Sequence, residues 1–149
     1  MIAFIVLFMA FVLFLLAGQL GALWFQPWVH ALRGALVCML LVTASAHWGK
    51  RRRDLIAMVP QQLPNPGLIV TVTGMLELAG AVGLIFHATH RAAAFSLAAL
   101  FLVMFPANVR AATEHLTIGG RPVLGVVPRG IIQVVFIGAA LLCALSGPW

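Results

Sequence analysis

The chain has 149 residues, 63% of them hydrophobic and 8% charged, and a mean hydropathy of +1.11. A soluble domain carries roughly a quarter charged residues, so this composition excludes a water-soluble globule and leaves lipid as the matching solvent. The net charge of +6 does not indicate nucleic acid: basic residues of membrane proteins gather in cytoplasmic loops beside anionic lipid, and no basic surface here is interleaved with soluble structure.

Five apolar stretches follow in chain order, at residues 1–23, 31–48, 68–86, 92–109 and 130–145. Each approaches the roughly 20 residues that cross a hydrocarbon core as a helix. The expected fold is an all-α membrane protein, one transmembrane domain over residues 1–149 built as a bundle of five helices. The first stretch lacks a basic leader and is longer than the apolar core of a signal peptide, so it reads as a retained helix. Between the second and third spans, residues 51–66 read as a short interfacial helix with Leu55, Ile56, Met58 and Val59 on its apolar side; Pro60, Pro64 and Pro66 then stop it. Between the fourth and fifth, residues 117–128 hold Gly119, Gly120, Pro122, Gly125 and Pro128 and read as a loop or partial re-entrant turn. Cys38 and Cys143 lie in separate spans without CxxC spacing and read as small core residues, not a redox pair or metal site.

Charge placement orients these spans. The loop after the second carries Lys50, Arg51, Arg52 and Arg53; the loop after the fourth is bounded by Arg110 and Arg129 and contains Arg121. Together these are seven of the nine Lys and Arg. Arg33 and Arg91 fall beside the other two loops. Only an odd number of spans with the N-terminus inside puts both basic loops in the cytoplasm, so the expectation is five spans, N-in and C-out. The tryptophans agree, with Trp24 and Trp28 flanking the outer turn, Trp48 at the inner interface and Trp149 ending the chain outside.

Ionisable groups inside lipid cost several kcal/mol, of order 2–3 at least, unless paired or hydrated, and mark candidate sites. Glu77 is the sharpest, about nine residues or roughly 14 Å into the third helix. Gly74, Gly80 and Gly83 nearby allow another helix to approach, and Thr73 one turn earlier is placed to share the carboxyl. The orientation also brings His47, Asn108, Arg110, Arg129 and Gln133 into the cytoplasmic third of the bilayer. The expected site is a pocket open to the cytoplasm or inner leaflet, with Glu77 and His47 as catalytic proton partners and Asn108, Arg129, Gln133, Thr73 and Arg110 as ligand-binding groups. The bland alternatives are a neutral Glu77 stapling helices and arginines snorkelling to phosphates. No metal site is expected: His87 and His90 at i,i+3 lack a third ligand. Haem is not favoured, because His47 lies inside, His30, His87 and His90 outside, and His115 in the inner loop.

Several short runs carry a family resemblance: S-A-H-W at Ser45 to Trp48, R-R-D-L-I-A-M-V-P-x-x-L-P-x-P at Arg52 to Pro66, T-G-M-L-E-L-A-G-A at Thr73 to Ala81, F-P-A-N-V at Phe105 to Val109 and R-x-x-x-Q at Arg129 to Gln133. In this order they resemble the DoxX-like membrane proteins over most of the chain. That resemblance implies a four-helix unit formed by the second to fifth spans, with the first helix as an N-terminal addition. It also implies a multi-pass protein of the bacterial cytoplasmic (inner) membrane. Some DoxX-type proteins are small subunits of membrane oxidoreductase assemblies, so it further implies a redox-associated subunit that binds a quinone or similar apolar ligand. Its partners would be the lipid bilayer and a membrane or cytoplasmic oxidoreductase, with no nucleic acid. No redox cofactor is evident in the chain itself. Two other functions compete: a stand-alone intramembrane enzyme on a lipid-like substrate with Glu77 as acid–base residue, and a structural or assembly subunit without chemistry of its own.

Overall fold

The computed structural model describes residues 1–146; Trp149, expected at the outer interface, lies outside the described residues. Helix α1 spans Ile2–Gln19 and turns through a short 3-10 segment at Leu23–Phe25 into α2, Trp28–Trp48. The brief α3, Arg52–Met58, precedes α4, Pro66–Ile85, and α5, His90–Thr113. Strands β1, Thr117–Ile118, and β2, Arg121–Pro122, lead to α6, Val126–Leu145. Five of these helices are long and apolar enough to cross a membrane, as expected of a multi-pass protein.

Helix ends follow local chemistry. Pro66 opens α4 in its first position, where its missing N–H costs nothing. Gly49 ends α2 with an extended backbone. Three boundaries differ from the sequence pattern. α1 stops at Gln19 rather than near residue 23, because Gly21 takes a φ of 108°. α5 continues to Thr113, so Arg110 lies within the helix rather than in the following loop. α6 starts at Val126, which puts Pro128 and Arg129 in its first turn; proline is tolerated there, and a long arginine stem can lie along a helix end while its head leaves the apolar layer.

α2, α4, α5 and α6 form a ring, each against its neighbours, while α1 packs on the outside against α2. Phe14 of α1 stacks on Phe25 at 4.5 Å and abuts Gly34 of α2. The helices alternate in direction, so one end of the bundle collects α3, the β-hairpin, Lys50 to Arg53 and Arg129. The Met1 amino group lies at this basic end, held below its ordinary value by burial and then by Arg129 and Arg51.

The apolar core sits toward the far end, around Leu36, Met39 and Leu40 of α2, Leu84 of α4, Leu97 and Phe101 of α5, and Ala140, Cys143 and Ala144 of α6. Lipid is as apolar as leucine, so these helices are held by close van der Waals contact of small and branched residues rather than by escape from water.

Within residues 117–128, the first half is a two-stranded antiparallel hairpin, Thr117 opposite Pro122 and Ile118 opposite Arg121, and a short link leads from it into α6 at Val126. Its turn is Gly119–Gly120 with φ of 59° and 74°, the primed geometry that suits two-residue hairpins and that glycine adopts without strain. Asp54 of α3 accepts a hydrogen bond from the Gly119 N–H at 2.8 Å, which fastens the hairpin to α3.

Candidate functional site

The buried face of α2 runs through Arg33, Leu36, Leu40, Ala44 and His47, steps of three and four residues that keep one side of a helix toward its neighbours. His47 closes this stripe at the basic end. On α4, Val70, Gly74 and Glu77 form the facing stripe. A Cβ on Gly74 would stand 2.7 Å from His47 Cβ and Cγ, so only glycine admits the imidazole at this level.

The two stripes meet in a buried couple. His47 Nε2 lies 3.6 Å from Glu77 Oε1, with His47 only 4% and Glu77 only 3% exposed. His47 Nδ1 is 2.6 Å from the Val70 carbonyl. A carbonyl only accepts, so Nδ1 carries the hydrogen and Nε2 is the nitrogen turned toward the carboxyl. On the other side, Thr43 Oγ1 is 2.7 Å from Glu77 Oε2 and 3.1 Å from the Leu40 carbonyl. This hydroxyl accommodates either state of the acid. It donates to a carboxylate, or accepts from a carboxylic acid while donating to Leu40. A proton on Nε2 or on Oε1 lies between the two groups while Thr43 donates to Oε2 in either case, whereas a proton on Oε2 would leave Nε2 facing an acceptor without a donor.

Arg52 braces the couple from the basic end. It donates to the His47 carbonyl at 2.8 Å, and to the Gly67 carbonyl and Thr71 Oγ1, both at 2.9 Å. The end of α2 and the start of α4 are thus held by one guanidinium, whose planar fork suits several acceptors at once.

A second polar cluster joins α5 to α6. Arg129 Nη2 donates to Asn108 Oδ1 at 2.6 Å, Asn108 Nδ2 donates to Gln133 Oε1 at 3.1 Å, and Gln133 Nε2 donates to the Phe101 carbonyl. The chain of donors ends beside Pro106, inside α5, which offers no N–H to the Leu102 carbonyl and loosens the ladder in this turn.

The structure brings Glu77 to His47, and Asn108 to Gln133 and Arg129. Among the described residues no hydrogen bond joins the two groups. Thr73 departs from expectation: its hydroxyl turns back to the Ile69 and Val70 carbonyls at 3.0 and 3.1 Å, and Thr43 of α2 takes the place beside Glu77. Backbone carbonyls of the preceding turn are the nearest acceptors for a helical threonine, which explains the exchange. Arg110 faces away from Glu77 as well, bonded to the Val59 carbonyl and, at 2.9 Å, to Glu114. That contact holds the Glu114 carboxyl below its ordinary value.

The sequence pattern does not single out Thr43, although its position one turn before His47 on the same helix is the available signal. Arg33 is a second omission. Placed beside an outer loop by charge counting, it is instead 1% exposed within α2 at the far end, with Nη2 3.5 Å from Ser146 Oγ. Two apolar grooves open on the flanks, one of about 580 Å³ between α4 and α5 and one of about 440 Å³ among α1, α2 and α6; neither is lined by His47 or Glu77.

Residues 36–144 match the family model described as a domain of unknown function, DUF8561. The chain belongs to this family. The matched region runs from the second turn of the α2 core stripe to the end of α6, so it holds the four-helix ring with both polar clusters and omits α1. No curated protein and no solved structure matches the chain.

Proposed function

We propose that this chain is a membrane-embedded binding subunit in which the His47–Glu77 couple exchanges a proton with an apolar, carbonyl-bearing ligand of the quinone class. The observation that supports this most is the buried 3.6 Å approach of Nε2 to the carboxyl, with Nδ1 committed to Val70 and Thr43 able to serve both states of Glu77. The couple holds protons but no electrons, so any redox step draws its electrons from a partner oxidoreductase, in keeping with the DoxX-like motifs. The same reading has the chain N-in and C-out in a bacterial cytoplasmic membrane, with the basic end and the couple toward the cytoplasm.

The test uses the purified protein in detergent or nanodiscs. A short-chain quinone analogue should raise the thermal transition of the wild type and leave Glu77→Gln, which keeps the shape and the Thr43 contact, unmoved. If the analogue shifts neither protein, or both equally, the assignment fails.

One second reading has its own support. Gly74 packed against His47, and Thr43 bonded across to Glu77, would also make the couple a helix staple. In that case Glu77→Gln preserves every function of the assembly and only lowers the thermal transition.

A further inference from the structure

The chain contains three acidic residues, and each is engaged. Glu77 meets His47 and Thr43, Glu114 meets Arg110, and Asp54 accepts from the Gly119 N–H. Lys50, Arg51, Arg53 and Arg121 are all exposed at the basic end, and among the described residues none of them has a carboxylate partner.

Two of these cations are brought together by the hairpin. The Asp54–Gly119 bond pins its turn on α3. Arg51 Nε lies 3.5 Å from where a Cβ on Gly119 would stand, so its side chain runs along the turn. Arg121 follows directly after Gly120 and pairs with Ile118 in the first rung. Arg51 and Arg121, 70 residues apart in sequence, therefore flank one glycine turn. The platform lies at the depth of the lipid surface, because α2 ends just before it at Trp48, half exposed at 47%, and α4 enters the bundle just after it. Leu55 and Ile56 of α3 are half buried beneath it.

We propose that the hairpin and α3 form a headgroup site for anionic phospholipid, with Arg51 and Arg121 as its phosphate ligands. Guanidinium groups bind phosphate oxygens through paired N–H bonds, so two of them on a fixed turn make a located site rather than a diffuse field. Asp54 serves this site although it is an acid, since it holds the turn in place. A second source for the anion, free phosphate, has the same chemistry but no acyl chains to keep it at this depth.

The sign of one substitution separates this site from general attraction. In nanodiscs, phosphatidylglycerol should raise the thermal transition above that in phosphatidylcholine. Arg51→Gln with Arg121→Gln should remove most of that difference, whereas Lys50→Gln with Arg53→Gln, an equal loss of charge, should remove little. Asp54→Ala makes the protein more positive yet releases the hairpin, so it should weaken the lipid preference. A strengthened preference in Asp54→Ala, or equal effects of the two double variants, overturns the site in favour of diffuse attraction. Stabilisation by inorganic phosphate alone in detergent, to the same extent as by phosphatidylglycerol, overturns the lipid assignment. All of these variants leave His47 and Glu77 untouched, so their outcome is independent of quinone binding.

Discussion

The two halves of the bundle are held by different forces. At the far end, Leu36, Met39, Leu84, Leu97 and a set of alanines touch mainly through dispersion, with Arg91 Nε donating to the Ala144 carbonyl at 3.1 Å and Arg33 Nη2 3.5 Å from Ser146 Oγ as polar ties at the rim. At the basic end, the same four helices are joined pairwise by named hydrogen bonds, α2 to α4 through Thr43, His47 and Arg52, and α5 to α6 through Asn108, Arg129 and Gln133. Packing without polar groups can hold helices in lipid, so a half rich in polar groups stands out. It is where chemistry can reside. The two polar clusters also differ from each other. The α5–α6 cluster is a frame of amides and a guanidinium, whereas an imidazole and a carboxyl face each other between α2 and α4.

The largest effect should come from closing the α2–α4 seam. Overpacking by a single methyl costs about 1–3 kcal/mol, and Gly74→Leu adds a branched chain where even a Cβ meets His47 at 2.7 Å. That variant should fail to give a cooperative thermal transition in detergent; a transition near that of the wild type would mean that the seam is loose.

In the far half, Leu36→Ala should cost about 2 kcal/mol. That is the low end of the range for buried leucines, because in lipid the cavity and lost dispersion remain while the transfer from water does not contribute. A loss of about 5 kcal/mol in reversible unfolding would show that the far end is held by more than dispersion. The frame between α5 and α6 should lose about 1–2 kcal/mol in Asn108→Leu, which deprives both Arg129 and Gln133 of a partner. Quinone-analogue binding should survive this change. If binding is abolished while the fold remains, the two clusters act as one site.

The smallest effect belongs to Glu114, exposed on the last turn of the basic end and bonded to Arg110. Its carboxyl is depressed by that hydrogen bond, so any contribution it makes is present above its ordinary range near pH 4 and is lost as pH falls through the lower folded value. Glu114→Gln should leave the transition at neutral pH within error and flatten its fall on acidification. A marked loss at neutral pH would contradict this.

Much of this was legible in the sequence. Five long, mostly apolar runs separated by proline, glycine and charge can hardly be anything but five helices, and an acid in the middle of one of them has to be sheltered. His47 and Glu77 stood out for that reason. Thr43 did not, because a hydroxyl within an apolar run satisfies itself on its own helix and announces no partner. Thr73 stood out on spacing, yet took that intrahelical option. Charge counting places Arg33 only beside the outer loop, and nothing in a linear pattern distinguishes that position from burial on the core stripe. The hairpin was visible only as a turn, since two-residue strands are too short to show alternation.

The central claim is that the His47–Glu77 couple responds to its ligand by moving a proton, and infrared difference spectroscopy reads that most directly. Spectra of the wild type with and without a bound quinone analogue should differ in the carbonyl stretch of a protonated carboxyl, and Glu77→Gln should abolish that difference. A spectrum without any carboxyl change on ligand binding, or one that persists in Glu77→Gln, would contradict the account.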